Sequence, residues 1–361
     1  MALRQQIRFC RAPDGARIAV ATMGTGTPLV RATHWLSHVE FDARSPVWIH
    51  WLRELSSGRT YIRYDQRGCG LSDWAPPAIS FEAWVSDLET VVEALDLKRF
   101  ALFGMSQGGA IAIAYAARHP ERVSHLVLLG AYAQGRLRRA HSEQEREEAA
   151  LLAKLVRLGW GRDNAAFRQL FTTQFIPQGS QEQHNWFNEL ERISATPENA
   201  AAIIEATYDI DVTHLAEKIK VPTLVFHARY DARAPFEEGA KLAALIPNAR
   251  FVPLDSHNHV LLQSEPAWGQ FVADLRDFLA TPGAVANMPL QTYGGDRLTP
   301  SEHQVLIQIS RGLDNSAIAA ALGKSEKTVR NQISSIFSKL GVRTRAEAIV
   351  RARDSGISGA P

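Results

Sequence analysis

The chain has 361 residues, of which 45% are hydrophobic and 22% are charged. This length allows two or three domains, and the composition excludes disordered and collagen-like chains. The formal charge of +2 is unevenly distributed, because residues 297–361 contain 10 Lys/Arg and 5 Asp/Glu whereas the remainder contains 30 and 33. A basic tail beside a slightly acidic body is typical of an appended nucleic-acid-binding module.

The N-terminus and the cysteines give expectations about location and cofactors. Residues 1–15 contain three arginines and no apolar run of signal-peptide length, so we expect a cytoplasmic protein. The uncharged run Phe100–Ala117 contains a Ser-Gln-Gly-Gly segment, which favours a strand, a turn and a helix over a membrane span, and we expect no membrane partner. Cys10 and Cys69 provide neither a disulfide framework nor a thiolate cluster, so we predict no metal and no cofactor.

The first part of the chain alternates between short apolar runs and helix-like segments. The runs that predict β-strands are Ile7–Cys10, Arg17–Thr22, Leu29–Thr33, Thr60–Tyr64, Phe100–Phe103 and His125–Leu129. The first two are joined by Asp14-Gly15, a strong hairpin signal. Helix-like segments at Phe81–Leu95 and Gly109–Ala117 separate later runs. Strands that alternate with helices predict a mostly parallel sheet and an α/β fold.

A helical insertion interrupts this alternation at about residues 134–208. Its helix-forming stretches are Arg136–Leu158, Ala165–Phe171, Asn185–Ile193 and Pro197–Thr207. The strand pattern then resumes with Thr223–His227 and Arg250–Leu254, and a helix is predicted over Pro266–Leu279.

These patterns predict two domains of different class. A large α/β domain spans residues 1–280 and contains the insertion. Residues 281–296 collect Pro and Gly without periodicity, which is typical of a linker. Beyond it, residues 297–361 contain only helical patterns, so we predict a small all-α domain there.

The predicted strand, turn and helix within residues 100–117 carry a nucleophile pattern. Gly104-Met105-Ser106-Gln107-Gly108 matches G-x-S-x-G, in which small residues permit the sharp turn that holds a serine hydroxyl above a sheet. Such a serine needs a base, and the base needs a carboxylate that fixes its tautomer. The candidates downstream are Asp209, Asp211, Asp231 and Asp255 for the acid, and His257 and His259 for the base.

With a Ser…Asp…His order after successive strands, residues 7–280 resemble the α/β-hydrolase fold family. The loop Asp65-Gln66-Arg67-Gly68-Cys69-Gly70-Leu71-Ser72 is similar to the family's D-x-R-G-x-G-x-S signature, and we interpret it as structural. The resemblance implies Asp231 as the acid, because it follows a strand at the family's position. It favours His259 over His257 as the base, because Pro266 follows His259 by seven residues.

The same resemblance implies an oxyanion hole and a cap. The backbone N–H groups of Gln107 and Trp35 are the expected oxyanion donors, although His34 stands where the family commonly has Gly. The helical insertion corresponds to the family's cap. Its aromatic residues either line a pocket over Ser106 or only pack the cap, and they are Trp160, Phe175, Trp186 and Phe187.

The C-terminal domain has the helix pattern of a DNA-binding unit. Thr299 or Ser301 is available to cap a helix that runs to about Arg311, and a short helix follows over Ser316–Leu322. Ser325 then caps a longer predicted helix, Glu326–Leu340. One face of this helix is apolar, with Val329, Ile333, Ile336, Phe337 and Leu340. Its other face is polar and cationic, which suits a DNA groove.

The spacing of Ala319, Gly323 and Val329 is that of a helix-turn-helix, and about 65 residues resemble the LuxR-type DNA-binding domain. The family implies Lys327, Thr328 and Arg330 for the major groove and Asn331 and Lys339 for phosphates. It also implies a dimer whose contact includes a last helix at about Arg345–Arg353. The sequence departs from the usual family residues at Ser301, Gln304 and Gln332.

These features support hypotheses from different functional classes. The leading hypothesis is a transcriptional regulator whose hydrolase-like domain senses a small ester- or lactone-like ligand. In one version of this hypothesis, the domain also hydrolyses the ligand. The alternative is an active serine esterase with an appended DNA-binding module, and a third is an interaction module with an inactive pocket. The expected partners are double-stranded DNA, the small-molecule ligand and a second copy of the chain, with RNA polymerase as a further candidate.

Overall fold

The computed structural model describes residues 4–160, 165–281, 300–342 and 344–354. It forms two compact units, Met1–Ala284 and Val285–Pro361. The division falls within the predicted linker, 281–296, which lies outside the described residues apart from Thr281, so its bounds remain a prediction. No helix in these ranges is long and apolar enough to cross a membrane.

A single eight-stranded sheet organises the first unit. Its strands are β1 (Gln5–Arg11), β2 (Arg17–Met23), β3 (Thr27–Arg31), β4 (Arg59–Tyr64), β5 (Phe100–Met105), β6 (Val123–Leu129), β7 (Thr223–Ala228) and β8 (Arg250–Leu254). They lie in the order β1-β2-β4-β3-β5-β6-β7-β8. The β1–β2 and β2–β4 pairs are antiparallel, and all other neighbours are parallel. The predicted α/β fold with a mostly parallel sheet is confirmed.

Helices cover both faces of this sheet, so its central strands are buried. The helices are α1 (Ile49–Leu55), α2 (Phe81–Ala94), α3 (Gln107–Arg118), α4 (Glu143–Gly159), α5 (Ala165–Phe175), α6 (Gln181–Ser194), α7 (Pro197–Tyr208), α8 (Thr213–Ala216), α9 (Phe236–Leu245) and α10 (Pro266–Ala280). Every residue of β5 and of β7 is buried, as expected for parallel strands between two helical layers. A short 3₁₀ helix, Phe41–Arg44, precedes α1.

Helices α4 to α7 form the helical insertion, and their starts are set by capping side chains. The Ser142 hydroxyl accepts the N–H of Glu145 in a capping box, so α4 begins at Glu143 and not at the predicted Arg136. A second capping box at Ser180 starts α6 at Gln181, earlier than predicted. These boundaries were wrong because apolar periodicity is weaker than a cap in fixing where a helix starts.

The second unit is a small helical domain with its own core. It contains α11 (Pro300–Ser310), α12 (Asn315–Leu322), α13 (Glu326–Leu340) and α14 (Arg345–Asp354). Gly323, between α12 and α13, has φ 62°, a left-handed conformation that glycine adopts easily. The buried core consists of Val305, Leu306, Ile309, Ile318, Ala319, Val329, Ile333, Ile336, Ala348 and Ala352. The predicted helix-turn-helix and the apolar face of α13 are therefore present.

Candidate active site and nucleic-acid interface

Ser106 lies between β5 and α3 in a sharp turn. Its backbone has φ 53° and ψ −127°, a combination that non-glycine residues rarely adopt. A Cβ on Gly104 would lie 2.7 Å from the Gly108 carbonyl oxygen, and a Cβ on Gly108 would lie 2.5 Å from that of Thr33. Glycine at both positions thus permits the close approach that the turn needs. Ser106 occupies the position that the G-x-S-x-G pattern predicts, at the N-terminus of α3.

Asp231 and His259 meet in the loops that follow β7 and β8. Asp231 Oδ2 accepts a hydrogen bond from His259 Nδ1 at 2.6 Å, and both side chains are about 1% exposed. Asp231 Oδ1 accepts the N–H groups of Arg233 and Ala234. Burial raises the pKa of Asp231, but the charge and hydrogen bond of His259 outweigh burial and hold this pKa below its ordinary value. An ionised Asp231 holds the proton of His259 on Nδ1 and leaves Nε2 as a proton acceptor.

Ser106 and His259 line the same cavity. Its walls are His34, Trp35, Leu36, Trp48, Met105, Ser106, Phe175, Phe187, His259 and Val260. The cavity volume is about 10 Å³, which is about the space that one water molecule requires. The side chains predicted to act as nucleophile and base therefore face a small and mostly apolar space.

The predicted oxyanion donors, Trp35 and Gln107, lie next to this cavity. Trp35 is part of its wall, and Gln107 directly follows Ser106 as the first residue of α3. The Gln107 side chain donates to Gln66 and accepts from Thr207, at 3.0 Å each, which holds it in place. The role of the two backbone N–H groups in stabilising an oxyanion stays a prediction.

His34 occupies the position where the family commonly has glycine, and the loop accommodates it by burial. Its Nδ1 donates to the Trp35 carbonyl oxygen at 2.8 Å, and its ring packs against Trp48 with centroids 5.2 Å apart. Burial, and then the charge of Arg31, hold the pKa of His34 well below its ordinary value. A neutral His34 therefore forms part of the cavity wall and fixes the loop that carries Trp35.

The alternative candidates for the catalytic acid and base have other surroundings than Asp231 and His259. His257 is exposed and stacks on Tyr230, with ring centroids 4.4 Å apart. Asp209 is exposed and pairs with Arg138, Asp211 accepts a hydrogen bond from Gln134, and Asp255 is exposed. Only Asp231 among the four candidate acids is joined to a candidate base by a hydrogen bond in the described chain.

Two residues after β6 belong to the site but were not predicted from the sequence. Gly130 has φ 56°, and a Cβ there would lie 2.8 Å from His259 Cε1, so glycine leaves room for the histidine ring. Tyr132 is buried, which raises the pKa of its phenol, and the neighbouring Ser106 side chain is among the groups that oppose this rise. The signal available in the sequence was their position directly after a central parallel strand, where sites of such sheets lie.

The aromatic residues of the cap divide between the two predicted roles. Phe175 and Phe187 line the cavity and stack on each other, with ring centroids 5.3 Å apart. Trp160 packs edge-on against Trp35, and Trp186 stacks on the ring of Phe41. Phe175 and Phe187 therefore close the space above Ser106, whereas the two tryptophans pack the surrounding structure.

The loop at residues 65–72 has the contacts of a structural element. The Asp65 carboxylate accepts the N–H groups of Val39 and Leu71, and a Cβ on Gly70 would overlap with it. Arg67 forms a buried ion pair with Asp87 and a second ion pair with the exposed Asp14. These bonds join the loop to the segment after β3, to α2 and to the first hairpin, in agreement with its interpretation as structural.

Helix α13 presents a cationic and polar face to solvent. The residues predicted for DNA that are exposed are Lys327, Thr328, Arg330 and Asn331. Ser325 caps the helix as predicted, because its hydroxyl accepts the Thr328 N–H at 3.1 Å. Lys339 is half-buried and pairs with the buried carboxylate of Glu302 at 2.8 Å. Four of the five predicted contacts are thus exposed, whereas Lys339 is held inside its own domain.

Two of the departures from the usual LuxR-type residues contact each other. Lys324 and Gln332 each donate to the Ser301 hydroxyl at 2.6 Å, and Lys324 also donates to Gln332 Oε1 at 3.0 Å. Because α11 begins at Pro300, Ser301 lies inside the helix and is not its cap, whereas Thr299 lies outside the described residues. Ser301 therefore joins α11 to the turn and to α13.

Comparisons with known proteins agree with the division of the chain into an α/β unit and a C-terminal helical unit. The family model for the alpha/beta hydrolase fold matches residues 41–266, which is more than half of the chain. The model for bacterial regulatory proteins of the luxR family matches residues 296–352. The chain belongs to the α/β-hydrolase fold family and carries a LuxR-type helix-turn-helix domain at its C-terminus.

Curated relatives and solved structures match the first unit. The AB hydrolase superfamily protein YisY of Bacillus subtilis is 29% identical over 259 residues, covering 70% of this chain and 91% of that protein. Pyrrolizixenacetamide deacetylase of Xenorhabdus hominickii is 27% identical, covering 64% and 85%. The structure of an esterase from Exiguobacterium antarcticum aligns with a TM-score of 0.63 and 25% identity, covering 76% of this chain and all of that one.

Proposed function

We propose that the protein is a ligand-responsive transcriptional regulator whose hydrolase-type domain binds a small ester- or lactone-like molecule at Ser106. The LuxR-type domain supports DNA binding and regulation, and the hydrolase-type relatives support the chemistry of the first domain. The observation that carries the proposal is that Ser106 and His259 line one cavity and His259 is hydrogen-bonded to Asp231, in a chain that also contains a DNA-binding domain. A chromosomal DNA partner would require a cytoplasmic location.

The arrangement supports acyl transfer to Ser106. Its Oγ attacks the ligand's carbonyl carbon while His259 Nε2 takes the hydroxyl proton. The N–H groups of Trp35 and Gln107 stabilise the oxyanion. The C–O bond to the leaving alcohol then breaks, and the alcohol takes the proton from His259, which leaves an ester on Ser106. A water molecule, deprotonated by His259, then attacks the acyl carbon, the bond to Ser106 Oγ breaks, and Oγ takes the proton back from His259 as the acid leaves. With a lactone, the alcohol stays attached to the acyl group.

The small cavity supports a coupling between ligand and conformation. With space for about one water, the cavity admits an ester only when Phe175 and Phe187 of the cap move aside. A ligand then binds the rearranged state better than the closed state, which is the thermodynamic condition for any response to it. The cap is thus the element through which occupancy of Ser106 reaches the rest of the protein.

On DNA, we propose that the protein acts as a homodimer. The LuxR-type resemblance assigns the dimer contact to the last helix, here α14, and predicts half-sites about one helical turn apart. Under this proposal Lys327, Thr328 and Arg330 contact bases, and Asn331 and Lys339 contact phosphates. RNA polymerase is the candidate partner through which bound dimers alter transcription.

The test uses a covalent occupant of Ser106 and a DNA-binding readout. Phenylmethylsulfonyl fluoride sulfonylates an activated serine hydroxyl with release of fluoride. The full-length protein selects a DNA fragment from a random pool, and its Kd for that fragment is measured before and after modification at fixed salt. We expect a change of at least about fivefold, or about 1 kcal/mol of coupling. The Ser106→Ala variant is the control, and its Kd is expected to stay constant.

The alternative, a serine esterase with an appended DNA-binding module, is favoured by the Asp231–His259 hydrogen bond. It predicts hydrolysis of simple 4-nitrophenyl esters together with an unchanged Kd for DNA after modification. An unchanged Kd in fully modified protein would therefore contradict the proposed regulator. If neither modification nor hydrolysis occurred, the third hypothesis, an interaction module with an inactive pocket, would replace both.

A further inference from the structure

Arg233 lies beside the cavity in a cage of aromatic rings. Its guanidinium carbon is 5.4 Å from the ring centroid of Phe175 and 6.0 Å from those of Trp35 and Tyr208. Phe175 and Trp35 also line the cavity that contains Ser106. The backbone N–H of Arg233 donates to Asp231 Oδ1 at 2.8 Å, so the main chain at this position is fixed to the predicted catalytic acid.

The charge of Arg233 is not neutralised by a neighbouring carboxylate. Among the residues that the structure describes, no Asp or Glu oxygen lies within 4.0 Å of its guanidinium. In the part of the chain that the structure describes, its side chain donates only one hydrogen bond, a long one of 3.4 Å to the amide oxygen of Gln174. Arg63 and Arg67, which are also in the interior of this domain, both pair with aspartates. Arg233 therefore has the hydrogen-bonding capacity for an anion that the protein itself does not supply.

A second cation, Arg139, packs against Tyr132. Its guanidinium carbon is 5.4 Å from the Tyr132 ring centroid, and within the described ranges it has no ion pair shorter than 4.0 Å, although the more distant Glu238 carboxylate acts on its charge. Burial raises the pKa of the Tyr132 phenol, while the charges of Arg233 and Arg139 oppose this rise. Because the Ser106 side chain acts on the same phenol, both arginines belong to the surroundings of the predicted nucleophile.

Two like charges held together in a partly buried aromatic setting are costly unless an anion joins them. Charge-assisted hydrogen bonds from a guanidinium to a carboxylate are short and bidentate, and removal from water strengthens them. Aromatic rings also hold the guanidinium in one orientation, so less side-chain entropy is lost on binding. This combination selects a planar anion.

We infer that Arg233, supported by Arg139, binds a carboxylate of the ligand, so the site takes esters or lactones of dicarboxylic acids. This inference rests on the proposed function, because it names the chemical class that Ser106 acts on. One carboxyl-derived group is the ester carbonyl at Ser106, and the other is the free carboxylate in the cage of Trp35, Phe175 and Tyr208.

The experiment compares two esters that differ in one negative charge. The full-length protein is assayed with the mono-4-nitrophenyl ester of glutaric acid and with its neutral methyl ester. We expect kcat/KM for the charged ester to exceed that for the neutral one by at least about tenfold. In Arg233→Gln, kcat/KM for the charged ester is expected to fall by about 10- to 100-fold, with the neutral ester changed by less than about threefold.

Two further variants separate recognition from structural damage. Arg138→Gln removes an exposed cation of the cap that pairs with Asp209, and it is expected to leave both rates within about twofold. Arg233→Lys keeps the charge but not the bidentate geometry, so it should restore part of the preference for the charged ester. Equal loss on both esters in Arg233→Gln would show that Arg233 only positions Asp231, and it would overturn the inference.

A binding measurement keeps this inference distinct from the proposed function. If wild-type protein hydrolyses neither ester, the acyl-transfer step fails, but the anion site is still tested by calorimetric titration with the glutarate monomethyl ester. Binding that is present in Ser106→Ala and at least about tenfold weaker in Arg233→Gln supports the inference. Equal affinities for this anion and for neutral dimethyl glutarate would overturn it.

Discussion

The two units place their functional side chains in opposite surroundings. In the first unit, Asp231 and His259 are about 1% exposed, and His259 lines a small cavity. In the second unit, Lys327 and Arg330 are exposed on α13. Electrostatic interactions are strong and little screened in the first setting, whereas those of the second are screened by salt and become useful only against a polyanion.

This difference predicts two kinds of response to substitution. A buried group that orients a neighbour has no substitute, so its removal produces a large loss confined to one function. An exposed cation on a recognition helix is one of several contacts, so its removal produces a graded loss that depends on salt. The predictions below test this contrast, from the largest expected effect to the smallest.

The largest effect is expected for Asp231→Asn. An amide in place of the carboxylate no longer fixes the Nδ1–H tautomer of His259, and kcat for 4-nitrophenyl acetate should fall by about 10⁴-fold. The exposed Asp255 provides the matched control, because Asp255→Asn removes the same charge and should change kcat by less than twofold. The affinity of Asp231→Asn for DNA in the absence of ligand should equal that of wild type. A loss of activity below about tenfold would contradict the assigned role.

A middle-sized effect is expected from the buried histidines when the pH falls. Burial lowers the pKa of His50 to about 4, so between about pH 6.5 and 4 the unfolded chain binds a proton that the folded protein does not. Stability is therefore lost as the pH decreases, by about 2 kcal/mol at pH 5 from His50 alone. Urea unfolding at pH 7.5 and pH 5 measures this loss.

The variant for this measurement is His50→Phe. The ring still packs between Trp51 and Trp268, and the Leu261 carbonyl still accepts the indole N–H of Trp51. The difference in unfolding free energy between the two pH values should therefore shrink. The control variant His257→Gln, at an exposed position, should leave the difference in unfolding free energy between the two pH values unaltered. An unchanged pH dependence in His50→Phe would show that His50 is protonated equally in both states.

The smallest effects are expected for single residues of α13. Arg330→Ala should weaken binding to the selected DNA by about tenfold and relax the preference at the bases it contacts. Lys339→Ala breaks the ion pair with Glu302 as well as the proposed phosphate contact, and it should weaken binding to all sequences alike and reduce the slope of log K against log salt by about one. Fluorescence anisotropy titrations at several salt concentrations measure both. If the two variants bound DNA like wild type, the contact assignment would be wrong.

Local sequence patterns predicted those parts of the fold whose stabilising interactions are local. The bounds of β8 and of α13 agree with the prediction, because each has a clear apolar period and, for α13, a capping serine. Helix α1 has no counterpart among the predicted helices, because His50, Trp51, Leu52, Glu54 and Leu55 are all buried and no polar face marks a helical period. Its stability comes from tertiary packing.

The candidate site likewise contains residues that local sequence patterns predicted and residues that they did not. Ser106 and its turn carry a sequence motif, and the order of strands indicated where Asp231 and His259 lie. By contrast, Gly130, Tyr132 and Arg233 carry no local signature. They belong to the site only because three loops converge at the ends of β6, β7 and β8, which a single sequence does not specify.

The contact between Ser301 and Gln332 has a consequence for how such domains diversify. Arginine, the usual family residue at position 301, would bring a second cation beside the Lys324 ammonium, which now donates to both Ser301 and Gln332. Like charges at that distance repel each other. We therefore expect substitutions at positions 301 and 332 to be energetically coupled, because a chimera that exchanges α13 alone between relatives would keep Ser301 but lose its partner Gln332.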